Sequence, residues 1–248
     1  MSDKFAISFV IPAFNEERLI GSTLRTITDE VQRLRISAEI VVIDDGSTDS
    51  TRSVVRSFRE VTLVASPKVG LSGARQIGFL ATTGELVANV DADTMIPQGW
   101  IERVLHEFQA NQQLVCVSGP LIYYDLPRLT RAAVRVFYYC GYLLHGLNQF
   151  IFRVGSLIQG GNFVVTRAAL ESIGGYNQQF TFYGEDTDLA RRITAIGRVK
   201  FNFALSALSS GRRLRQEGVL RMGLRYALNF LWATWLHRPF SLESKYIR

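Results

Sequence analysis

The chain has 248 residues, 47% of them hydrophobic and 20% charged, a balance that supports one packed α/β domain and excludes a disordered chain. Its 28 basic residues against 22 acidic ones leave a net charge of +6, which favours anionic partners such as phosphates or an acidic membrane face. Cys116 and Cys140 are the only cysteines. Without paired spacing they argue against a disulfide framework or structural zinc, and they suit a reducing compartment as small buried apolar groups.

In chain order, residues 7–11 form a short apolar run stopped by Pro12. This reads as a buried strand rather than a signal peptide, because no small-residue cleavage site follows. Leu19, Ile20, Leu24, Ile27, Val31 and Leu34 then recur at helical spacing on one face. A second strand is expected over 39–43, a helix over 49–58, a third strand over 61–65 and a helix over 70–81. A fourth strand over 86–90, a helix over 97–110 and a fifth strand over 114–117 complete the first half. Strands alternating with helices imply right-handed crossovers and a mainly parallel sheet. Ligands of such sheets bind beyond the carboxyl ends of the strands. That rule selects four segments: 12–17, 44–49, 66–75 and 91–94.

The second half changes character. Residues 127–152 are long, aromatic and helical in pattern. The uncharged run 136–152 falls short of the about 18 apolar residues a membrane span needs, so it reads as a buried or interfacial helix. Gly160-Gly161-Asn162 breaks the chain before a short strand over 163–165. A helix over 167–173 is closed by Gly174-Gly175, and another runs over about 184–196. The tail over 216–236 is basic and aromatic, and suits either a helix packed on the core or an interfacial helix on an anionic leaflet. No repeat or Pro/Ser-rich linker interrupts the chain, which therefore reads as one continuous unit. Its last part, 211–248, reads as a basic helical extension. His106, His145 and His237 sit in no metal-ligand pair and beside no nucleophile signature.

The chemistry-bearing residues cluster at the strand ends. Asp91-Ala92-Asp93 follows the fourth strand, where two carboxylates one residue apart suit a hard cation, Mg²⁺ or Mn²⁺. Asp44 and Asp45 follow the second strand, where a carboxylate accepts hydrogen bonds from a base imide or from ribose. Ser47, Thr48 and Asp49 are expected to cap the next helix. Pro12, Ala13, Asn15 and Glu16 close the first strand, with Asn15 a candidate cap. Lys68 and Arg75 flank a glycine-containing turn and suit phosphate. Glu185 and Asp186 open a helix whose positive end favours an ionised carboxylate, as a general base requires. Asp188 is placed to pair with Arg191 or Arg192. Arg212 and Arg213 form a basic loop that suits phosphate oxygens.

These pieces, in this order, resemble the inverting family-2 glycosyltransferases of the GT-A fold. The matching segments are VIPAFNEE at 10–17, VVIDDGSTDST at 41–51, KVGLSGARQIGF at 68–79, VDADT at 90–94, GGNFVVTRAAL at 160–170 and GEDTDLARR at 184–192. The resemblance implies an α/β fold: a Rossmann-like αβα sandwich with a mainly parallel central sheet and a helical C-terminal extension, with 1–210 one domain whose nucleotide-binding half is 1–119 and whose acceptor-binding half is 120–210. It implies that Pro12, Ala13, Asn15, Glu16 and Asp44 line a nucleotide pocket and that Arg75 lies on its diphosphate side. Asp91 and Asp93 would then handle ribose and metal, and Asp186 would be the base with Glu185 beside it. The implied donor is a nucleotide-diphosphate sugar of UDP, GDP or dTDP type, and the implied acceptor is a saccharide or a lipid-linked molecule. Gln76 stands where the family often has asparagine. Two other classes are weaker. A sugar-phosphate nucleotidyltransferase would open with a glycine-rich basic loop where this chain has PAFNEE, and a silent nucleotide-sugar-binding domain would not need Asp91, Asp93 and Asp186 together. No groove-reading motif points to nucleic acid. The expected location is cytoplasmic, with peripheral contact at the inner membrane face through residues 212–248.

Overall fold

The computed structural model describes residues 5–147, 157–180 and 184–235. Its first half runs β1 (Ile7–Ala13), α1 (Ile20–Leu34), β2 (Ala38–Asp44), α2 (Thr51–Arg56), β3 (Val61–Ala65), α3 (Gly70–Leu80) and β4 (Leu86–Val90). Next come β5 (Thr94–Met95), α4 (Trp100–Ala110), β6 (Leu114–Ser118), β7 (Leu121–Tyr123) and α5 (Arg128–Leu147). The remainder is β8 (Asn162–Thr166), α6 (Arg167–Ser172), α7 (Glu185–Thr194), β9 (Arg198–Phe201), β10 (Ala207–Ser209), α8 (Arg212–Glu217) and α9 (Val219–Trp235).

Seven strands form the central sheet in the order β3-β2-β1-β4-β8-β6-β9. All neighbours are parallel except β8, which runs against both β4 and β6. A small second sheet, β5-β10-β7, stands beside it. The pleat of β1 explains the layering. Ile7, Phe9 and Ile11 pack with Ile20, Leu24 and Ile27 of α1 and with Trp100, Ile101 and Val104 of α4. Val10 faces the other way, in a cluster with Leu189, Ala190 and Ile193 of α7. A strand apolar on both faces is what a sheet covered by helices on each side requires, and each such side chain contributes roughly 1.5–3 kcal/mol when buried. Gly78 lets α3 approach the sheet closely, since a Cβ there would lie 2.3 Å from Cγ1 of Val10.

Several boundaries differ from expectation for physical reasons. Helix α2 starts at Thr51, not 49, because the Asp49 carboxylate accepts the Thr51 N–H and hydroxyl. Helix α4 starts at Trp100, since Gly99 takes a left-handed φ of +83° and breaks the turn before it. Strands β5, β7, β9 and β10 have two to four residues each, too few for a period of two to register. The expected basic loop over 209–213 is the end of β10 followed by the start of α8. The final residues of the helix expected over 127–152, the side chains of Cys140 and His145, and His237 lie outside the described residues. Of the two placements expected for the tail, packing holds for the described part: α9 lies against α7 and α8. Its Met222 is buried with Leu126, Val134, Tyr138, Phe201 and Leu214. Among the described residues, no helix is long and apolar enough to cross a membrane.

Candidate active site

Loops after the parallel strands are laced together at the carboxyl edge of the sheet. Asn15, at φ 54°, gives its N–H to Ser47 Oγ at 2.9 Å and accepts the Thr48 and Asp49 N–H groups on Oδ1. It does not cap α1, whose N-cap residue is Leu19. Ser47 and Thr48 are likewise engaged by Asn15 rather than by α2. Pro12 and Ala13 end β1 in register with Ile43 and Asp44. Lys68 lies over the Phe14 ring at 4.2 Å.

The two carboxylates after β2 diverge. Asp44 is fully buried, accepting from Arg52 Nε at 2.5 Å and from the Ser47 N–H at 3.2 Å. Asp45, expected at the nucleotide, instead accepts the Val69 and Gly70 N–H groups at 2.7 and 3.0 Å. Those are unpaired donors at the start of α3, so Asp45 caps that helix. Arg52 as the partner of Asp44 was not foreseen, because nothing in the chain marks a residue eight positions on as an ion-pair partner.

Arg75 also departs from expectation. Its side chain is wholly buried, with Nη1 on Glu185 and Nη2 on Asp91 at 3.0 Å. Both terminal nitrogens are taken by carboxylates, so it bridges the two acidic segments instead of facing open space beside a diphosphate. Burial works against its charge, but Glu185 and Asp91 outweigh that and hold the guanidinium above its usual range. Burial pushes the Glu185 carboxyl up to about 7, with Arg75 pulling the other way. Gln76 is turned aside, accepting the Tyr176 N–H at 2.8 Å.

Asp91-Ala92-Asp93 forms a tight turn, closed by the Thr94 N–H on the Asp91 carbonyl and pinned by the Thr23 hydroxyl on the Ala92 carbonyl. The Asp91 side chain is 36% exposed. Asp93 is recessed, with Arg212 at 3.2 Å and the Ser209 hydroxyl at 3.5 Å. Arg212 also pairs with Glu16. Burial, then the charge of Asp91, raise the Asp93 carboxyl to about 7; Glu16 adds to the rise while Arg212 and Arg213 oppose it. Glu16 Oε2 and Thr94 Oγ1 are buried without a hydrogen-bond partner. This crowded, incompletely satisfied oxygen set suits a hard cation. Among the described residues no group of three or more His, Cys, Asp or Glu is arranged to hold a metal, so Asp91 and Asp93 would need further oxygen ligands from donor or water.

Asp186 sits in the first turn of α7 behind Gly184. It accepts the N–H of Gly160 at 3.2 Å and of Thr187 at 2.8 Å. Burial raises its pKa against the pull of those two donors. Asp188 pairs with both Arg191 and Arg192. The Gly160-Gly161 turn runs between the acidic groups. A Cβ on Gly160 would lie 3.4 Å from Asp186 Oδ2 and from Glu185 Oε1, and one on Gly161, at φ +79°, 2.2 Å from Asp91 Oδ2. Asn162 fixes that turn, accepting from Trp100 Nε1 at 3.1 Å and donating to the Gly119 and Leu205 carbonyls. Its only trace in the sequence is a polar residue where a buried strand opens. Thus Asp91, Glu185 and Asp186 share one cleft, with Asp93, Glu16 and Arg212 beside Asp91.

A family model for glycosyl transferase family 2 matches residues 8–174, and one for the N-terminal domain of galactosyltransferase matches 144–210. The probable glycosyltransferase YdaM of Bacillus subtilis (strain 168) is 26% identical over 202 residues, covering 77% of this chain and 47% of YdaM. An undecaprenyl-phosphate 4-deoxy-4-formamido-L-arabinose transferase of Pseudomonas fluorescens is 29% identical over 115 residues, 44% of this chain and 34% of that protein. The chain spans less than half the length of either curated relative. Among solved structures, the mannosyltransferase PcManGT of Pyrobaculum calidifontis, in complex with GDP-Man and Mn2+, has the same fold: TM-score 0.70, 22% identity, covering 93% of this chain and 64% of that one. The mainly parallel sheet, the acidic strand-end cleft and a family model spanning more than half the chain agree: the chain has the GT-A fold and belongs to glycosyl transferase family 2.

Proposed function

We propose that the chain is an inverting glycosyltransferase, moving a hexose from a nucleotide-diphosphate sugar to an acceptor hydroxyl with Asp186 as general base. The observation that carries this reading is the bridge made by one guanidinium, Arg75, between Asp91 and Glu185. It draws the acidic strand end and the start of α7 into one cleft. Relatives supply the chemical class: PcManGT binds GDP-Man and Mn2+, and the Pseudomonas relative is named for an undecaprenyl-phosphate substrate.

In this reading the nucleoside lies against Pro12, Ala13, Asn15 and Glu16. A base imide reaches Asp44 when Arg52, 41% exposed, swings aside. Lys68, Arg212 and Arg213 face the diphosphate charge. Arg75 positions Asp91 and Glu185 rather than binding phosphate. Asp91 and Asp93 would hold Mg²⁺ or Mn²⁺, which neutralises a departing diphosphate. Asp186 accepts the proton of the acceptor hydroxyl as its oxygen attacks the anomeric carbon. The bond from that carbon to the diphosphate oxygen breaks on the opposite face, so configuration inverts and no covalent enzyme intermediate forms. The acceptor is a saccharide or a lipid-linked hydroxyl reached from the cytoplasmic side.

A thermal-shift screen of UDP-, GDP- and dTDP-sugars with Mn²⁺ or Mg²⁺ tests donor binding, and NMR of the transferred anomer tests the stereochemistry. The reading expects a metal-dependent shift with one donor class and an inverted product. A retained anomer, or no shift with any donor, overturns it.

A further inference from the structure

Helix α5 carries an exposed apolar face that the cleft does not use. Leu129, Val136 and Phe137 are 83%, 60% and 50% exposed, and at 100° per residue they share one side of the helix with Ala133. The opposite side is anchored. Val134 and Tyr138 are buried with Phe201, Leu214 and Met222, and Tyr138 accepts the Leu121 N–H while donating to Gln159. The helix is therefore held with its apolar side outward.

Arg128, Arg131 and Arg135 line the boundary between these sides. The described helix contains no acidic residue, and among the described residues none of the three arginines makes an ion pair. They border a cavity of about 450 Å³ together with Tyr138, Tyr139 and Phe203, in which Tyr139 stacks on Phe203 at 4.8 Å. A 20-residue helix is roughly 30 Å long, but three arginines within it forbid a spanning orientation. An apolar face bordered by arginines and aromatic rings matches a helix lying in the plane of a bilayer surface.

We propose that α5 docks on an anionic lipid leaflet, with Leu129, Val136 and Phe137 in the acyl boundary and Arg128, Arg131 and Arg135 seating lipid phosphates in the cavity. The partner is the bilayer surface, chosen by charge complementarity with a helix that carries only positive charge. This moves the membrane contact from the tail, whose described part packs on the core, to the middle of the chain. Gln159, held by Tyr138, precedes the Gly160 that donates to Asp186. Resting on the transfer reading, this docking would present a lipid-linked acceptor to the base.

Vesicle flotation of the full chain tests the docking without any donor or turnover, so its failure leaves the transfer reading untouched. The chain should float with equimolar phosphatidylcholine–phosphatidylglycerol vesicles and not with phosphatidylcholine alone. Replacing all three arginines by Gln should weaken binding about a hundred-fold, at roughly fivefold per arginine, whereas replacement by Lys should keep most of it. Leu129→Gln with Val136→Gln and Phe137→Gln should lower it to a similar degree. Absence of flotation on anionic vesicles, or flotation that survives both sets of substitutions, overturns the proposal. So does a dimer in light scattering that these apolar substitutions dissociate, because a second copy would then own the face.

Discussion

As the proposed base, Asp186 meets two opposed demands. A base must be anionic, and the residue lies at the positive end of α7 with two N–H donors on its oxygens. Burial outweighs them and raises its pKa. Because the proposed base works only when ionised, the acid limb of kcat/KM should lie above the pKa of an unperturbed aspartate; a limb at or below that pKa would exclude Asp186 as the titrating group. For stability the sign is opposite. A carboxyl whose folded pKa is raised favours the fold while protonated, below its unfolded pKa, and that contribution is lost as pH rises through the folded value. Asp186→Asn should therefore lower kcat by roughly 10²–10⁴-fold, leave donor affinity unchanged, and raise the melting temperature near neutral pH. Calorimetry against pH checks the last point, and a variant less stable than wild type at pH 7 would refute it. For Asp91→Ala with Asp93→Ala the expected loss is in donor binding that depends on Mn²⁺, read by titration calorimetry with and without the ion. Equal donor affinity in variant and wild type would remove both residues from the metal site.

At the scale of elements, α3 and α7 are joined through one buried charge. Arg75 projects from α3 between Glu185 at the start of α7 and Asp91 beyond β4. Removing the cation while leaving both carboxylates is expected to cost about 3–5 kcal/mol, as for other broken buried pairs. Arg75→Met should show that loss in urea unfolding, and adding Glu185→Gln should recover part of it, because one stranded charge then disappears. If the two losses simply add, the pair is not coupled. This bridge was not legible in the chain. A basic residue near a glycine turn reads as a phosphate ligand, and its partner lies 110 positions away. The helices were legible where an apolar face repeats, as in α1. The strands were legible where three or four apolar residues run together, as at 9–11 in β1 and 40–43 in β2. The three-stranded sheet was not, since its strands are pinned by neighbours rather than by a pattern of their own.

For the whole molecule, alternating strands and helices made the parallel sheet and its carboxyl edge readable, and that edge selected most of the cleft residues. What pattern alone does not convey is closure. Residues 211–248 read as an extension beyond the catalytic domain, yet Arg212 pairs with Glu16 across 196 positions and with Asp93. The loop after β1 thus meets the start of α8 inside the cleft. Leu214 and Met222 then cover Leu126, Val134, Tyr138 and Phe201. Two changes separate the electrostatic part from the packing part. Arg212→Ala leaves the apolar cluster intact and removes the ion pair with Asp93 and one charged hydrogen bond, to Glu16, worth about 1.5–3 kcal/mol. It should weaken donor binding at least tenfold with only a modest fall in melting temperature. Deleting residues 212–248 uncovers the cluster as well, so it should also lower the melting temperature steeply and give a chain that binds a hydrophobic dye such as ANS. A truncated chain that melts like wild type and still binds donor would mean that the cleft is complete without the tail. The pairing of Arg212 with Glu16 and Asp93, and the cover over Tyr138, predict the reverse.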